Sequence, residues 1–132
     1  MHIYAHGELK DSVEVKFSVA QTDSPHVYTW KTEYISEKHP LVKDYTLKVI
    51  DSKQGHYATD EGDGVVLKDY GFDNKIYSIF KTRGILLTAT YELIGEHLVF
   101  EVTSGKLVET VKEIDNYSVT HLQRVVYRRV ED

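Results

Sequence analysis

Apolar and polar residues alternate with a period of two along most of the chain. In VEVKFSVA, residues 13–20, valine and phenylalanine hold the odd positions, and polar residues lie between them. The same alternation recurs in DYTLKVID (44–51), ILLTATYEL (85–93) and HLVFEVTS (97–104). Because successive side chains of a strand point to opposite faces, this pattern predicts β-strands that each bury one face.

The connections between these segments are short. EGDG at residues 61–64 is typical of a tight hairpin turn, and only Gly84 and residues 94–96 separate three strands between positions 75 and 104. Such links join antiparallel neighbours. The sequence therefore predicts an all-β fold: an antiparallel up-and-down meander of 8–10 strands that closes into a barrel, with residues 1–132 forming one domain.

One segment departs from the period of two. In KLVETVKEIDN, Leu107, Val111 and Ile114 recur at helical spacing, so at most one short helix is expected near residues 107–114. The last strand is expected in THLQRVVYRRV, residues 120–130.

The serial hairpins from Tyr45 to Ser104 and the closing segment VTHLQRVVYRR resemble the calycins, the group of lipocalins and fatty-acid-binding proteins. The resemblance implies a β-barrel that holds a small ligand. Fatty-acid-binding proteins end on a strand whose Arg-x-Tyr pair binds a ligand carboxylate. This chain has Arg124 and Tyr127 three positions apart, which places them on opposite faces of a strand, so that carboxylate clamp is not carried over intact.

Composition narrows the classes of function. The formal net charge of −5 and the lack of a clustered basic stripe argue against nucleic-acid binding. The chain has no cysteine, which excludes disulfides, thiolate metal sites and a cysteine nucleophile and fits a reducing compartment. No apolar run approaches the roughly 20 residues that span a bilayer, and the N-terminus does not resemble a signal peptide. A cytoplasmic location is expected.

The strand HVYTWKTEYIS, residues 26–36, carries Tyr28, Trp30 and Tyr34 on one face. Such rings give contact area and also carry polar groups that can hold water or a ligand atom. They are the first candidate ligand-binding residues. The alternative is an ordinary barrel core in which the tyrosine hydroxyls bond to backbone or point to the rim.

Three of the four arginines lie in the last strand. Arg124 and Arg128 share one face, whereas Val125 and Tyr127 share the other. If the arginine face points inward, it offers a cationic site for a carboxylate or phosphate. If Val125 and Tyr127 point inward, that site disappears. Arg124, Tyr127 and Arg128 are therefore candidate ligand-binding residues, with a solvated outer face as the alternative.

No motif indicates a metal, a cofactor or catalysis. The seven histidines are scattered without HxH or HExxH spacing. The acidic stretch DEGDG, residues 60–64, lacks the later ligands of a calcium loop and is interpreted as a hairpin turn. GxSxG, P-loop and dinucleotide-binding motifs are absent.

The sequence thus favours non-catalytic binding of a small apolar or amphipathic ligand inside a β-barrel. The alternative from another class is an interaction or structural module with a filled core, with a homodimer as one form. An enzyme built at the barrel mouth stays open, since fold alone does not exclude it.

Overall fold

The computed structural model describes residues 1–130, and within that range it contains strands, turns and bends but no helix. The strands are β1 (His2–Ala5), β2 (Glu8–Ser12), β3 (Glu14–Ser18), β4 (Val27–Ile35), β5 (Leu41–Asp51), β6 (His56–Asp60), β7 (Val66–Phe72), β8 (Lys75–Thr82), β9 (Ile85–Ile94), β10 (His97–Val111) and β11 (Ile114–Arg128).

The strands form an antiparallel meander in the order β2-β1-β11-β10-β9-β8-β7-β6-β5-β4-β3. From β3 to β11, neighbours in the sheet are neighbours in the chain. The two edge strands, β2 and β3, are also consecutive in the chain, with Val13 alone between them. This is the connectivity of an antiparallel up-and-down meander. The predicted all-β antiparallel meander is confirmed.

The strand count is eleven rather than the expected 8–10, because the chain opens with an additional hairpin. His6 (φ 51°) and Gly7 (φ 80°) form its tight turn, and β1 then pairs with both β2 and β11. β2 reads ELKDS and is exposed throughout. A strand with a single apolar residue gives no alternation signal, which is why the pattern did not predict it.

The short helix allowed near residues 107–114 does not form. Residues Leu107 to Val111 are the end of β10, and Val111 pairs with Ile114 across a turn in which Lys112 and Glu113 both have positive φ. Two consecutive residues in that conformation make a hairpin turn whose twist matches the flanking strands. The apolar residues have an apparent helical spacing because a bulge between Leu107 and Glu109 and the turn after Val111 interrupt the alternation of the strand.

The chain divides into two compact units: a central unit, Val13–Ser78, and a terminal unit, which combines Met1–Ser12 with the chain from Ile79 onward. Each unit has buried side chains of its own. The expectation of one domain over residues 1–132 stays a prediction, because two compact units of this size can be parts of one domain or two separate domains.

The terminal unit buries one face of β9, β10 and β11. Tyr91 stacks on Phe100 with ring centroids 4.5 Å apart, and Phe100 lies opposite Val125 on the next strand. Val125 is 6% exposed, and Ala89 is also buried. This face is therefore packed by aromatic and aliphatic side chains.

Candidate functional site

Strand β4 places Tyr28, Trp30 and Tyr34 on one face, as the alternation predicts. Trp30 is 8% exposed, whereas both tyrosines are half-buried. The ring of Phe17 packs edge-to-face on Trp30 with centroids 4.8 Å apart. Thr32, between Trp30 and Tyr34 on the same face, is buried as well. The strand thus combines large rings with polar atoms on its buried side.

The same face continues across the neighbouring strands, because cross-strand partners share a face. Tyr45 lies opposite Trp30, and Leu47 lies opposite Tyr28 and also opposite Thr59. At the next position of β6 on the same face, Tyr57 lies opposite Asp69 on β7. This side of β4 to β7 is the aromatic face, and it carries Tyr28, Trp30, Tyr34, Tyr45, Leu47, Tyr57, Thr59 and Asp69.

Two glycines allow close packing at one end of this face. A Cβ at Gly71 would lie 3.1 Å from Cε2 of Tyr57, so glycine allows the Tyr57 ring to lie against β7. The Gly71 amide donates a hydrogen bond of 2.8 Å to the carbonyl of Gly55. Gly55 has a φ of +66°, and a Cβ there would lie 2.5 Å from the Gly71 carbonyl oxygen. The loop before β6 therefore fits closely against β7, two residues from Asp69.

Asp69 is the residue of this face that sequence reasoning missed. Its side chain is 2% exposed, and its Oδ2 accepts a 2.7 Å hydrogen bond from the hydroxyl of Thr59. Its Oδ1 is buried and accepts no hydrogen bond from residues 1–130. Burial raises the pKa of Asp69 above its ordinary value, while the hydroxyls of Thr59 and Ser78 and the charge of His56 partly offset that rise.

The sequence VVLKDYGF gives the opposite impression of which side is buried. Val66, Tyr70 and Phe72 form the more apolar of the two alternating sets, so periodicity alone favours them as the inward residues. In the structure Tyr70 and Phe72 are exposed, and Asp69 is buried instead. The only feature of the sequence that could have indicated a buried Asp69 was a carboxylate within a largely apolar strand. Without the strand register, that feature does not show which face is buried.

The acidic segment at residues 60–64 forms the turn between β6 and β7. Oδ1 of Asp60 accepts a hydrogen bond from the Gly62 amide at 2.9 Å, and Oδ1 of Asp63 accepts one from Val65 at 3.1 Å. Burial, together with the charge of Asp63, raises the pKa of Glu61. These carboxylates stabilise the turn through their backbone hydrogen bonds.

The arginines of β11 lie on the more exposed side of the strand. Val125 and Tyr127 face the buried side, whereas Arg124 and Arg128 face the other, where Val126 is 56% exposed. Nε of Arg124 pairs with Oε2 of Glu101 at 2.8 Å. Of the two orientations that the sequence left open, the one with Val125 and Tyr127 inward describes the terminal unit.

Strand pairing brings two histidines together that are far apart in sequence. Ala5 pairs with His121, and the rings of His6 and His121 meet edge-to-face with centroids 5.5 Å apart. Nδ1 of His121 is 2.7 Å from the hydroxyl of Thr120. No cluster of three or more histidine, aspartate or glutamate side chains able to hold a metal occurs in residues 1–130.

Comparison with known proteins gives no family for this chain. No family model matches it, and no curated protein or solved structure matches it significantly. In the part of the chain that the structure describes, there is no helix of the length and apolarity that a membrane span requires.

Proposed function

We propose that this protein binds a small apolar or amphipathic molecule on its aromatic face without changing it chemically. The observation that carries the proposal is the composition of that face, which combines half-buried tyrosines with a few buried polar groups. Binding sites for small molecules commonly combine apolar and aromatic walls with a small number of polar groups that fix orientation.

The energetic basis is the further burial of rings that the fold covers only in part. Tyr28, Tyr34 and Tyr45 retain accessible surface beside Trp30 and Leu47. A ligand that covers apolar area gains about 25 cal/mol per Å² before the costs of ordering and desolvation are subtracted. The tyrosine hydroxyls supply partners for polar atoms of the ligand.

The same proposal covers the type of barrel, the place of the ligand in it and the cellular compartment. A calycin-like or lipocalin-like barrel would place the ligand inside, and the cysteine-free sequence fits binding in the cytoplasm. Of the six residues predicted to bind ligand, Tyr28, Trp30 and Tyr34 support the proposal most directly. Tyr127 lies on the buried side of β11, whereas Arg124 and Arg128 lie on its exposed side, and for this reason we give the two arginines no part in the proposal.

The test uses a neutral apolar fluorophore, N-phenylnaphthylamine, with Trp30 as the energy donor, since it is the only tryptophan of the chain. We expect saturable energy transfer to the probe. The Tyr28→Ala variant should bind several-fold more weakly. Tyr77→Ala removes an exposed ring from the opposite side of the strands and should bind like the wild type.

A probe that does not bind, or one that both variants bind equally well, would contradict the proposal. Native mass spectrometry of the protein purified from its own host complements this experiment. A reproducible added mass that is lost in Tyr28→Ala and kept in Tyr77→Ala would support ligand binding and begin to identify the ligand.

A second candidate function is that of an interaction module, in which a homodimer is one form. β9 pairs with β10 only up to the Ile85–Lys106 pair, and beyond it β10 pairs with β11 alone. This hairpin end exposes four apolar side chains: Leu107, Val108, Val111 and Ile114. Light scattering that shows a dimer, converted to a monomer by Ile114→Lys but not by Val126→Lys, would favour this function.

A further inference from the structure

Asp69 stands out on the aromatic face because it is a carboxylate at a position where burial favours apolar residues. We propose that Asp69, together with Thr59, anchors a positively charged nitrogen of the ligand, so that the preferred ligand is an amine or a related cation carried on an apolar body. This inference rests on the proposed function, since it specifies the chemistry of a molecule bound on that face.

The geometry of the described residues leaves one buried carboxylate oxygen without a hydrogen-bond donor. Thr59 donates to Oδ2 at 2.7 Å, and this bond fixes the orientation of the Asp69 side chain. Oδ1 is buried, yet nothing in residues 1–130 donates a hydrogen bond to it. A carboxylate oxygen can accept two hydrogen bonds. Asp69 is thus oriented by the protein while half of its hydrogen-bonding capacity remains unused.

Within the described chain, the charge of Asp69 also lacks an ion-pair partner. Among residues 1–130, no lysine or arginine forms an ion pair with it. The imidazole of His56, whose electrostatic interaction with Asp69 lowers the pKa of that carboxyl group, lies on the opposite side of the strands, where it stacks on Tyr70. A buried charge is costly unless it is paired. A cationic ligand group would supply the missing partner.

The neighbouring ring of Tyr57 favours a cation over other ligand groups. Tyr57 lies directly opposite Asp69 on β6. Aromatic rings attract cations through their electron-rich faces. A neutral hydroxyl would form a weaker bond, because charge-assisted hydrogen bonds are roughly twice as strong as neutral ones. An anionic ligand would be repelled.

The competing explanation is that Asp69 acts only within the fold, accepting hydrogen bonds from Thr59 on β6 and from Ser78, a buried residue of β8. A purely structural carboxylate would have both oxygens satisfied by the protein, since buried polar groups are nearly always hydrogen-bonded. Oδ1 does not meet that condition. The two explanations also differ in what they predict for ligands of different charge.

The experiment compares three probes of similar size and different charge: phenethylamine, phenethyl alcohol and phenylpropionate. Binding is followed through the fluorescence of Trp30, the only tryptophan. We expect the protonated amine to bind more tightly than the alcohol, and the carboxylate to bind most weakly. Removing the charge with Asp69→Asn should weaken amine binding by about tenfold or more, and should leave alcohol binding nearly unchanged.

Asp44→Asn is the matched control. It makes the same chemical change at an exposed residue next to Tyr45, on the opposite side of β5. It should bind all three probes as the wild type does, which excludes a general effect of net charge on amine binding.

A second measurement keeps the inference testable if Asp69→Asn does not fold. In the wild-type protein, carbon-detected NMR follows the titration of the Asp69 carboxyl group. Phenethylamine should lower its pKa, because a bound cation stabilises the ionised form. Phenethyl alcohol should have little effect on it.

The outcomes separate this inference from the proposed function. Equal binding of amine and alcohol, insensitive to Asp69→Asn, would overturn the cation anchor and leave ligand binding on the aromatic face intact. Failure of all three probes and of N-phenylnaphthylamine to bind at millimolar concentration would overturn both. Tighter amine binding that Asp69→Asn does not change, with no shift in the Asp69 titration, would place the cation elsewhere and also overturn the anchor.

Discussion

On one face of β9 to β11, the half-buried rings of Tyr91 and Phe100 lie beside the buried Val125, and none of the described residues there is a buried charge. The central unit instead buries Thr32 and Asp69 on its aromatic face and Ser78 on β8. Burying polar atoms costs free energy unless each one finds a partner. The terminal unit thus has the composition of a packed core. The central unit includes polar groups that packing alone does not require.

The charged residues of the two units differ in the same way. In the terminal unit Arg124 and Glu101 pair on the exposed side of β10 and β11. In the central unit Asp69 is buried, and Oδ1 has no hydrogen-bond donor in residues 1–130. A charge kept at a cost in stability is more informative about function than one on the surface, where it costs little. For this reason the candidate site is placed on the aromatic face.

The largest expected effect tests whether part of the aromatic face is also a true core. Trp30→Ala should lower the free energy of unfolding by about 3–5 kcal/mol, because it removes a buried ring that Phe17 packs against. Urea denaturation followed by circular dichroism measures this change. Phe72→Ala removes a ring that is 65% exposed and should cost less than about 1 kcal/mol. Equal costs would contradict the assignment of Trp30 to a core.

The terminal unit offers a smaller and closely matched test. Val125→Ala should lower the free energy of unfolding by about 2 kcal/mol, from two lost methyl groups and the cavity they leave. The adjacent Val126 faces the exposed side, so Val126→Ala should change it by less than about 0.5 kcal/mol. If the two variants were equally stable, the inward face of β11 would be assigned wrongly, and the arginine face would have to be reconsidered.

A third prediction concerns the pH dependence of stability and has opposite signs at two aspartates of the β6–β7 hairpin. Burial raises the pKa of Asp69, so its ionisation favours the unfolded state. The free energy of unfolding of the wild type should therefore decrease as the pH rises from the ordinary carboxyl pKa through the raised pKa of Asp69. Asp69→Asn removes that loss, and the difference from wild type should be greatest above the raised pKa.

Asp60 should behave in the opposite way. The Gly62 amide and the Lys48 ammonium lower its pKa. Its stabilising contribution is present above the ordinary carboxyl pKa and is lost as the pH falls through the lowered value. Asp60→Asn should therefore be less stable than wild type at neutral pH and similar to it in acid. Chemical denaturation of both variants across the acidic range checks these signs, and two curves of the same sign would contradict them.

Local alternation predicted most of the meander because hairpins between successive strands depend on nearby residues and short turns. It did not predict β2, whose residues are all exposed, or Asp69, whose strand has its more apolar set facing outward. The orientation of Arg124 also depended on the register of β11 with β10, which no single segment determines. What the sequence left open was therefore the choice of face, and that choice decides which residues form a site.

The smallest expected effect concerns Arg124, for which the sequence allowed a role in binding a ligand carboxylate. Its pair with Glu101 is partly exposed, so Arg124→Ala should lower the free energy of unfolding by no more than about 1 kcal/mol. Because Arg124 and Tyr127 face opposite sides of β11, we expect the variant to bind N-phenylnaphthylamine and a fatty-acid carboxylate as the wild type does. Fluorescence titration of both ligands measures this. Selective loss of carboxylate binding in Arg124→Ala, with N-phenylnaphthylamine binding unchanged, would place a site for anionic ligands in the terminal unit and reverse the comparison between the two faces.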